Sequence, residues 1–242
     1  MHAHDDLIYD LGTNQGEDTG FYLAKGFRVI GVEANPLLHA ALTQRHATDI
    51  ATGRLVLLNI GIWSTAGNLT FYANEENDHW SSFDSSYGTR QGTRYHTLAV
   101  PCITVLDLLR RYGVPRYLKI DIEGADRLVL AQLRQQARLP RYISVEEYGV
   151  ATLYDLAALG YTRFQWLPQA DKSWAVAPRP AREGVYAPRW SDGRDSGLFG
   201  AELPGAWLGL ATALAGFQAG VRDAGGHYVG PPGEWWDIHA AR

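Results

Sequence analysis

Residues 7–33, LIYDLGTNQGEDTGFYLAKGFRVIGVE, decide how this chain folds. An apolar run of strand length (7–11) gives way to a polar turn holding Gly12 and Gly16. Helical spacing follows from Glu17 and stops at Gly26, and a second apolar run (27–33) ends on the acid Glu33. A strand, a glycine turn, a helix and a second strand in this order form a βαβ unit, whose crossover is right-handed and whose strands are parallel.

The alternation continues outward from that unit. Further strand-length runs lie at 54–62, 116–122, 141–147 and 162–167, separated by helical patterns at 35–47, 105–113, 125–137 and 151–160. Helical stretches stop at Gly113 and Gly160, where a left-handed terminal residue suits glycine. The pattern predicts an α/β fold: a mostly parallel sheet with helices on both faces. One segment interrupts it. After the third strand, residues 67–102 read as a β-hairpin, LTFY (69–72) against TLAV (97–100), joined by a long polar loop of the kind that forms lids or binding loops. Beyond residue 168 the composition shifts to Pro, Gly, Trp and Arg, with a short helix near 206–222 and otherwise irregular chain. Trp174, Trp190, Trp207, Trp235 and Trp236 argue that this extension packs on the core. The expected organisation is a core of residues 1–168 and an extension of 169–242 within one domain.

Bulk composition narrows the function. Apolar residues make up 46% and charged residues 20% of 242, and the formal net charge is −4. That balance fits a globular enzyme and speaks against a nucleic-acid binder driven by phosphate neutralisation. No stretch approaches the roughly 20 apolar residues of a membrane span, and no signal-peptide pattern opens the sequence, so a cytoplasmic protein is expected. The single cysteine, Cys102, excludes an intramolecular disulfide and a metal site of several thiolates.

The first turn carries the first chemical signal. Its glycines are spaced G-x-x-x-G rather than G-x-G-x-x-G, and Asp10, Glu17 and Asp18 surround it. Carboxylates repel a pyrophosphate and suit a ligand bearing an ammonium group, which favours S-adenosylmethionine over a nicotinamide dinucleotide. Glu33, 23 residues after Asp10, stands where a carboxylate accepts both ribose hydroxyls; capping the helix that Pro36 starts is its other reading. A second cluster is YLKIDIEGAD (117–126). Alternation sends Lys119 and Asp121 to one face, and Asp121 falls at the carboxyl end of the sheet, where open α/β sheets bind ligands. A structural Lys119–Asp121 pair with Glu123 as a helix cap is the alternative.

With these residues in view, YDLGTNQGEDT (9–19), VIGVEANP (29–36), LNIGIW (58–63), GNLTFY (67–72), WSSF (80–83) and above all LKIDIEGAD (118–126) resemble the FkbM family of methyltransferases; DSGLFGAELPG (195–205) and EWWDIHA (234–240) resemble one branch of it. The resemblance implies a class I methyltransferase (Rossmann-like) fold. It implies S-adenosyl-L-methionine as donor, S-adenosyl-L-homocysteine as product, and a hydroxyl of a sugar, glycan or small-molecule natural product as acceptor. By position it implies cofactor contacts at Asp10, Gly12, Asn14, Gly16, Glu33 and Asp121; Asp18 and Asn59 complete the candidate set.

Methyl transfer is an in-line displacement that needs positioning first and a base only for the acceptor proton. Candidates are His79, in the long loop with Trp80, Ser81 and Ser82, and the carboxylates Asp121, Glu123 and Glu146 or Glu147. Such a carboxylate group could hold a divalent cation, but no residue is assigned to a metal. Asp237 and His239 either close over the site or end a packed tail. N-methylation, a non-enzymatic protein that has kept the cofactor pocket, and a nucleotide-dependent oxidoreductase are the alternatives, and the oligomeric state is open.

Overall fold

A computed structural model describes residues 3–188 and 194–242; Trp190 lies outside the described residues. The first half runs β1 (Ala3–Leu11), α1 (Glu17–Ala24), β2 (Arg28–Val32), α2 (Pro36–Arg45), α3 (Ala47–Ala51), β3 (Leu55–Leu58), β4 (Gly61–Ile62), β5 (Gly67–Asn74), α4 (Ser85–Gly88) and β6 (Tyr95–Ile103). The second runs α5 (Val105–Tyr112), β7 (Val114–Ile120), α6 (Asp126–Leu133), β8 (Tyr142–Glu146), α7 (Val150–Ala158), β9 (Arg163–Pro168), α8 (Leu210–Gly220) and β10 (Trp236–Ala241).

Seven strands form the main sheet in the order β3-β2-β1-β7-β8-β10-β9. β3, β2, β1, β7 and β8 pair in parallel, and β10 enters antiparallel between β8 and β9. This is the class I methyltransferase architecture. The order reverses between β1 and β7, so a crevice opens at their carboxyl ends.

Both faces of the sheet are covered, which is why its strands are apolar on successive residues. One face packs Leu7, Tyr9 and Leu11 against Leu108, Val129, Leu153 and Phe217 from α5 to α8. The other packs Ile8, Tyr117 and Tyr142 against Tyr22 of α1 and Phe199 and Leu203 of the C-terminal extension. Phe199 stacks on Tyr117 at 4.7 Å between ring centres, and a buried Lys25–Glu202 pair at 2.8 Å ties α1 to the same extension. Among the described residues, no helix is long and apolar enough to cross a membrane.

The structure differs from the sequence expectation in three places. The run 54–62 is not one strand. Asn59 donates its side-chain amide to the carbonyls of Glu33 (2.8 Å) and Ala34 (3.1 Å), and the chain leaves the main sheet there. Residues 61–62 then pair with 102–103 in a second sheet, β4-β6-β5, in which Leu69 faces Val100 and Tyr72 faces Thr97. The extension is not irregular throughout, because residues 236–241 supply the seventh strand. The first strand is longer than the run 7–11, because β1 begins at Ala3 and His4 pairs opposite Pro115.

At the junction of the two sheets, a Cβ on Gly61 would overlap the Phe83 ring and Cys102 Sγ. Gly61→Ala is therefore expected to destabilise the fold by about 1–3 kcal/mol, measured as a lower urea midpoint with an unchanged slope.

Candidate active site

At the carboxyl ends of β1 and β2 a cavity open to solvent is lined by Gly12, Asn14 and Glu33, with apolar walls that include Val32, Ile62, Phe71 and Phe83. Its floor is shaped by the turn after β1. Gly12 adopts φ +84°, its N–H and that of Thr13 both donate to the Val32 carbonyl at 3.0 Å, and a Cβ on it would overlap the Asp121 carbonyl oxygen. Only glycine lets β1 and β7 come this close. Gly16 serves a different end. It caps α1 at φ +84° and packs against Leu42 of α2, away from the cavity.

Glu33 is held by backbone on both oxygens: Asn14 N–H donates to one at 2.7 Å and Asn35 N–H to the other at 2.8 Å. Burial pushes its carboxyl up to about 7 against these donors. The helix-cap reading of Glu33 fails, because the Asn35 side chain caps α2, accepting from Leu37 N–H at 3.0 Å. Asn14, at φ +46°, has a shielded side-chain oxygen without a partner. Asn59 lies outside the cavity lining and shapes the loop behind Glu33.

Lys119 is buried among three carboxylates: Asp10 at 3.4 Å, Asp18 at 3.3 Å and Asp121 at 3.3 Å. Although burial disfavours its charge, these acids hold its ammonium well above the ordinary lysine range. Asp10 also accepts from the Thr19 hydroxyl at 2.6 Å, and Asp18 from Ser196 N–H at 2.9 Å. Asp10 and Asp18 are absent from the lining of both site cavities, so of the three acids Asp121 alone reaches them. The structural pair foreseen between Lys119 and Asp121 thus exists, within a larger network.

A second, larger cavity, also open to solvent, adjoins the first. His79, Asp121 and Glu123 line both. Glu123 is not a cap, since α6 begins after Ala125 without a side-chain cap. It sits in the left-handed region at φ +43°, costly for a non-glycine residue. Around it, the Ser82 hydroxyl donates to its carbonyl at 2.6 Å, and Arg90, lying over the Trp80 and Tyr87 rings, pairs with its carboxylate. Glu146 faces the larger cavity, whereas Glu147 is taken up by Arg222 at 2.6 Å.

Asp237 stands opposite Glu146 on β10 and lines the same cavity, while His239 is buried inside the sheet between Ser144 and Gln165. Sequence reasoning left both alternatives open for this segment and did not single out Gln169 as a cavity residue. The period-two alternation of WDIHA, with Ile238 and Ala240 on the opposite face, was the available signal for a strand. Gln169, 2% exposed on this wall, has an unpartnered amide nitrogen. Among the described residues, no three His, Cys, Asp or Glu side chains are arranged to hold a metal ion.

Burial first, then mutual repulsion, raises the acids here: Glu123 to about 7, Asp126 to about 6, Asp237 to about 7, and Glu146 well above its usual range. An acid whose folded pKa exceeds its unfolded value near 4 binds more protons when folded, so stability falls as pH rises through the interval between them. Buried His239, pushed down to about 3, acts oppositely below about pH 6.5. The ligand-free protein is therefore expected to be more stable at pH 6 than at pH 8 by roughly 2 kcal/mol, read from denaturant midpoints at the two pH values.

The methyltransferase FkbM domain family matches residues 10–159. Similar solved structures include an FkbM methyltransferase from Methylobacillus flagellatus (14% identity, TM-score 0.46, covering 69% of this chain and 40% of that one). A precorrin-6y C5,15-methyltransferase from Geobacter metallireducens is also similar (10% identity, TM-score 0.42, covering 100% and 82%). So is a putative rRNA methylase from Clostridium thermocellum (13% identity, TM-score 0.35, covering 70% and 80%). This chain thus spans well under half the length of the Methylobacillus protein, and no curated relative matches it. With the family pattern running through more than half the chain, from β1 to the end of α7, the protein belongs to the FkbM methyltransferase family.

Proposed function

We propose that this protein methylates a hydroxyl of a small molecule or glycan, using S-adenosylmethionine as donor. One observation carries the reading: a cavity suited to a nucleoside and a second, acid-lined cavity share the walls His79, Asp121 and Glu123. The smaller cavity fits the donor in its chemistry. Glu33 offers a carboxylate at the tip of β2 for a ribose, the apolar walls suit an adenine, and the orphaned Asn14 oxygen awaits a donor group. When bound, S-adenosylmethionine supplies an electrophilic methyl group.

The protein's own residues position and deprotonate. Gly12 and Asn14 shape the turn, and Asp10 and Asp18 hold Lys119, which in turn holds Asp121 at the shared wall. Glu123 or Glu146 takes the acceptor's hydroxyl proton, with His79 as the other candidate base. Carboxyls lifted toward neutrality match that task better than ordinary surface acids do. The extension beyond residue 168 belongs to the same domain in this reading, since Gln169, Trp235 and Asp237 complete the acceptor cavity.

The test is calorimetric binding of S-adenosylhomocysteine, followed by mass spectrometry of glycosides and hydroxylated natural products incubated with enzyme and S-adenosylmethionine. Tight binding and a product heavier by one methylene are expected. Binding of NADP in place of S-adenosylhomocysteine overturns the reading, and binding without turnover on any acceptor favours a non-enzymatic role.

A further inference from the structure

Acids from four elements gather at and behind the larger cavity, two of them, Asp121 and Glu123, on the wall it shares with the smaller one. Asp121 and Glu123 follow β7, Asp126 opens α6, Glu146 ends β8, and Asp237 faces Glu146 across β10. The charged and titratable groups around them come from every neighbouring element. Arg90 pairs with Glu123 from the long loop, Lys119 with Asp121 from β7, and Lys172 acts on Asp237 from the extension, whose Arg194 and Asp195 also line the larger cavity. The Tyr148 hydroxyl donates to Asp126, Tyr87 packs against Gly124, and His79 stands on the shared wall. Lys119 is divided among Asp10, Asp18 and Asp121, so it offsets less than one of the site acids. Acids therefore outnumber the positive charge available to them, and a proton is the cheapest way for such a cluster to reduce repulsion.

A donor held by its ribose at Glu33 would occupy the smaller cavity, and its transferable methyl would have to face the acceptor cavity across the wall the two share. The positively charged centre that carries that methyl would then sit beside the shared wall of Asp121 and Glu123. We infer that this carboxyl cluster senses the donor's charge: a cationic donor expels a proton from it on binding, and the neutral demethylated product does not. The inference rests on the donor reading proposed above. An opposite charge within about 4–6 Å lowers a carboxyl pKa by about 1–3 units. Glu123, raised to about 7, then passes from about half protonated to largely ionised at neutral pH. Donor binding thus creates the ionised base that the acceptor's hydroxyl proton requires, and loss of the positive charge after transfer lets the cluster keep that proton.

No acceptor is needed to test this. The wild-type protein is titrated at pH 7 with S-adenosylhomocysteine and with sinefungin, which carries an ammonium group where the donor carries its sulfonium methyl. Each titration is run in phosphate and in Tris, whose ionisation enthalpies differ, so the heats report protons released. Glu33 meets the same ribose in both ligands and drops out of the comparison. Sinefungin is expected to release roughly half a proton more than S-adenosylhomocysteine, and its relative affinity to rise about 10-fold from pH 6 to pH 8. Glu123→Gln should shrink that difference. Equal proton release by the two ligands in the wild type overturns the inference while leaving the donor reading intact. A difference unchanged in both Glu123→Gln and Glu146→Gln also overturns it. Failure of both ligands to bind overturns the donor reading itself.

Discussion

Lys119→Met is expected to destabilise the folded protein by about 3–5 kcal/mol at pH 7.5, lowering Tm by roughly 10 °C. Methionine fills much of the same volume, so the loss isolates charge. Asp10, Asp18 and Asp121 all lie within 3.4 Å of the Lys119 ammonium; Asp10 is fully enclosed and Asp18 is buried. Removing the cation leaves buried carboxylates without compensation, which costs far more than an exposed ion pair is worth. The sign of the pH dependence follows. A lysine whose folded pKa lies above its unfolded value contributes fully at neutral pH, and that contribution fades only when pH rises through the folded pKa. In the variant the abandoned acids shift further upward, so the deficit should be largest at pH 8 and shrink toward pH 5, where protonation relieves them. Adding Asp10→Asn should recover part of the loss. Denaturant melts across that range measure it, and a loss below 1 kcal/mol at pH 7.5 contradicts the network.

The largest effect on ligand binding is expected at Glu33. Glu33→Ala should weaken S-adenosylhomocysteine binding about 100-fold by calorimetry, because hydrogen bonds to a charged group contribute about 1.5–3 kcal/mol each and a ribose presents two hydroxyls. The substitution also frees Asn14 N–H and Asn35 N–H, which together hold the turn and the entry to α2. Glu33→Gln, which keeps one acceptor oxygen, should lose about 10-fold. In the wild type, ribose hydroxyls favour the ionised carboxylate, so affinity should rise as pH increases through about 7, and this rise should vanish in Glu33→Gln. A change of less than threefold in Glu33→Ala would place the ribose elsewhere.

Much of this site is legible in the sequence. Gly12, Asn14, Glu33, Asp121, Glu123 and His79 were all singled out in sequence and all line the smaller cavity. Their positions follow from local rules: a turn directly after a strand, and an acid at a strand's carboxyl end. Asp10, Gly16, Asp18 and Asn59 were equally plausible by spacing, yet packing commits them to Lys119, Leu42, Ser196 and the backbone behind Glu33. Spacing along a chain cannot distinguish an acid that faces a ligand from one that faces a buried ammonium group.

The alternating strand–helix order, the hairpin register and the glycine turn can be read from the chain, because these depend on periodicity and on backbone angles local to a few residues. Only long-range packing placed the WDIHAA strand between β8 and β9, bringing Asp237 opposite Glu146 some ninety residues earlier in the chain. It alone divided the carboxylates between a buried lysine and an open cavity. Both outcomes depend on long-range pairing and on the balance of desolvation against charge, and neither quantity is written in the neighbours of a residue along the chain.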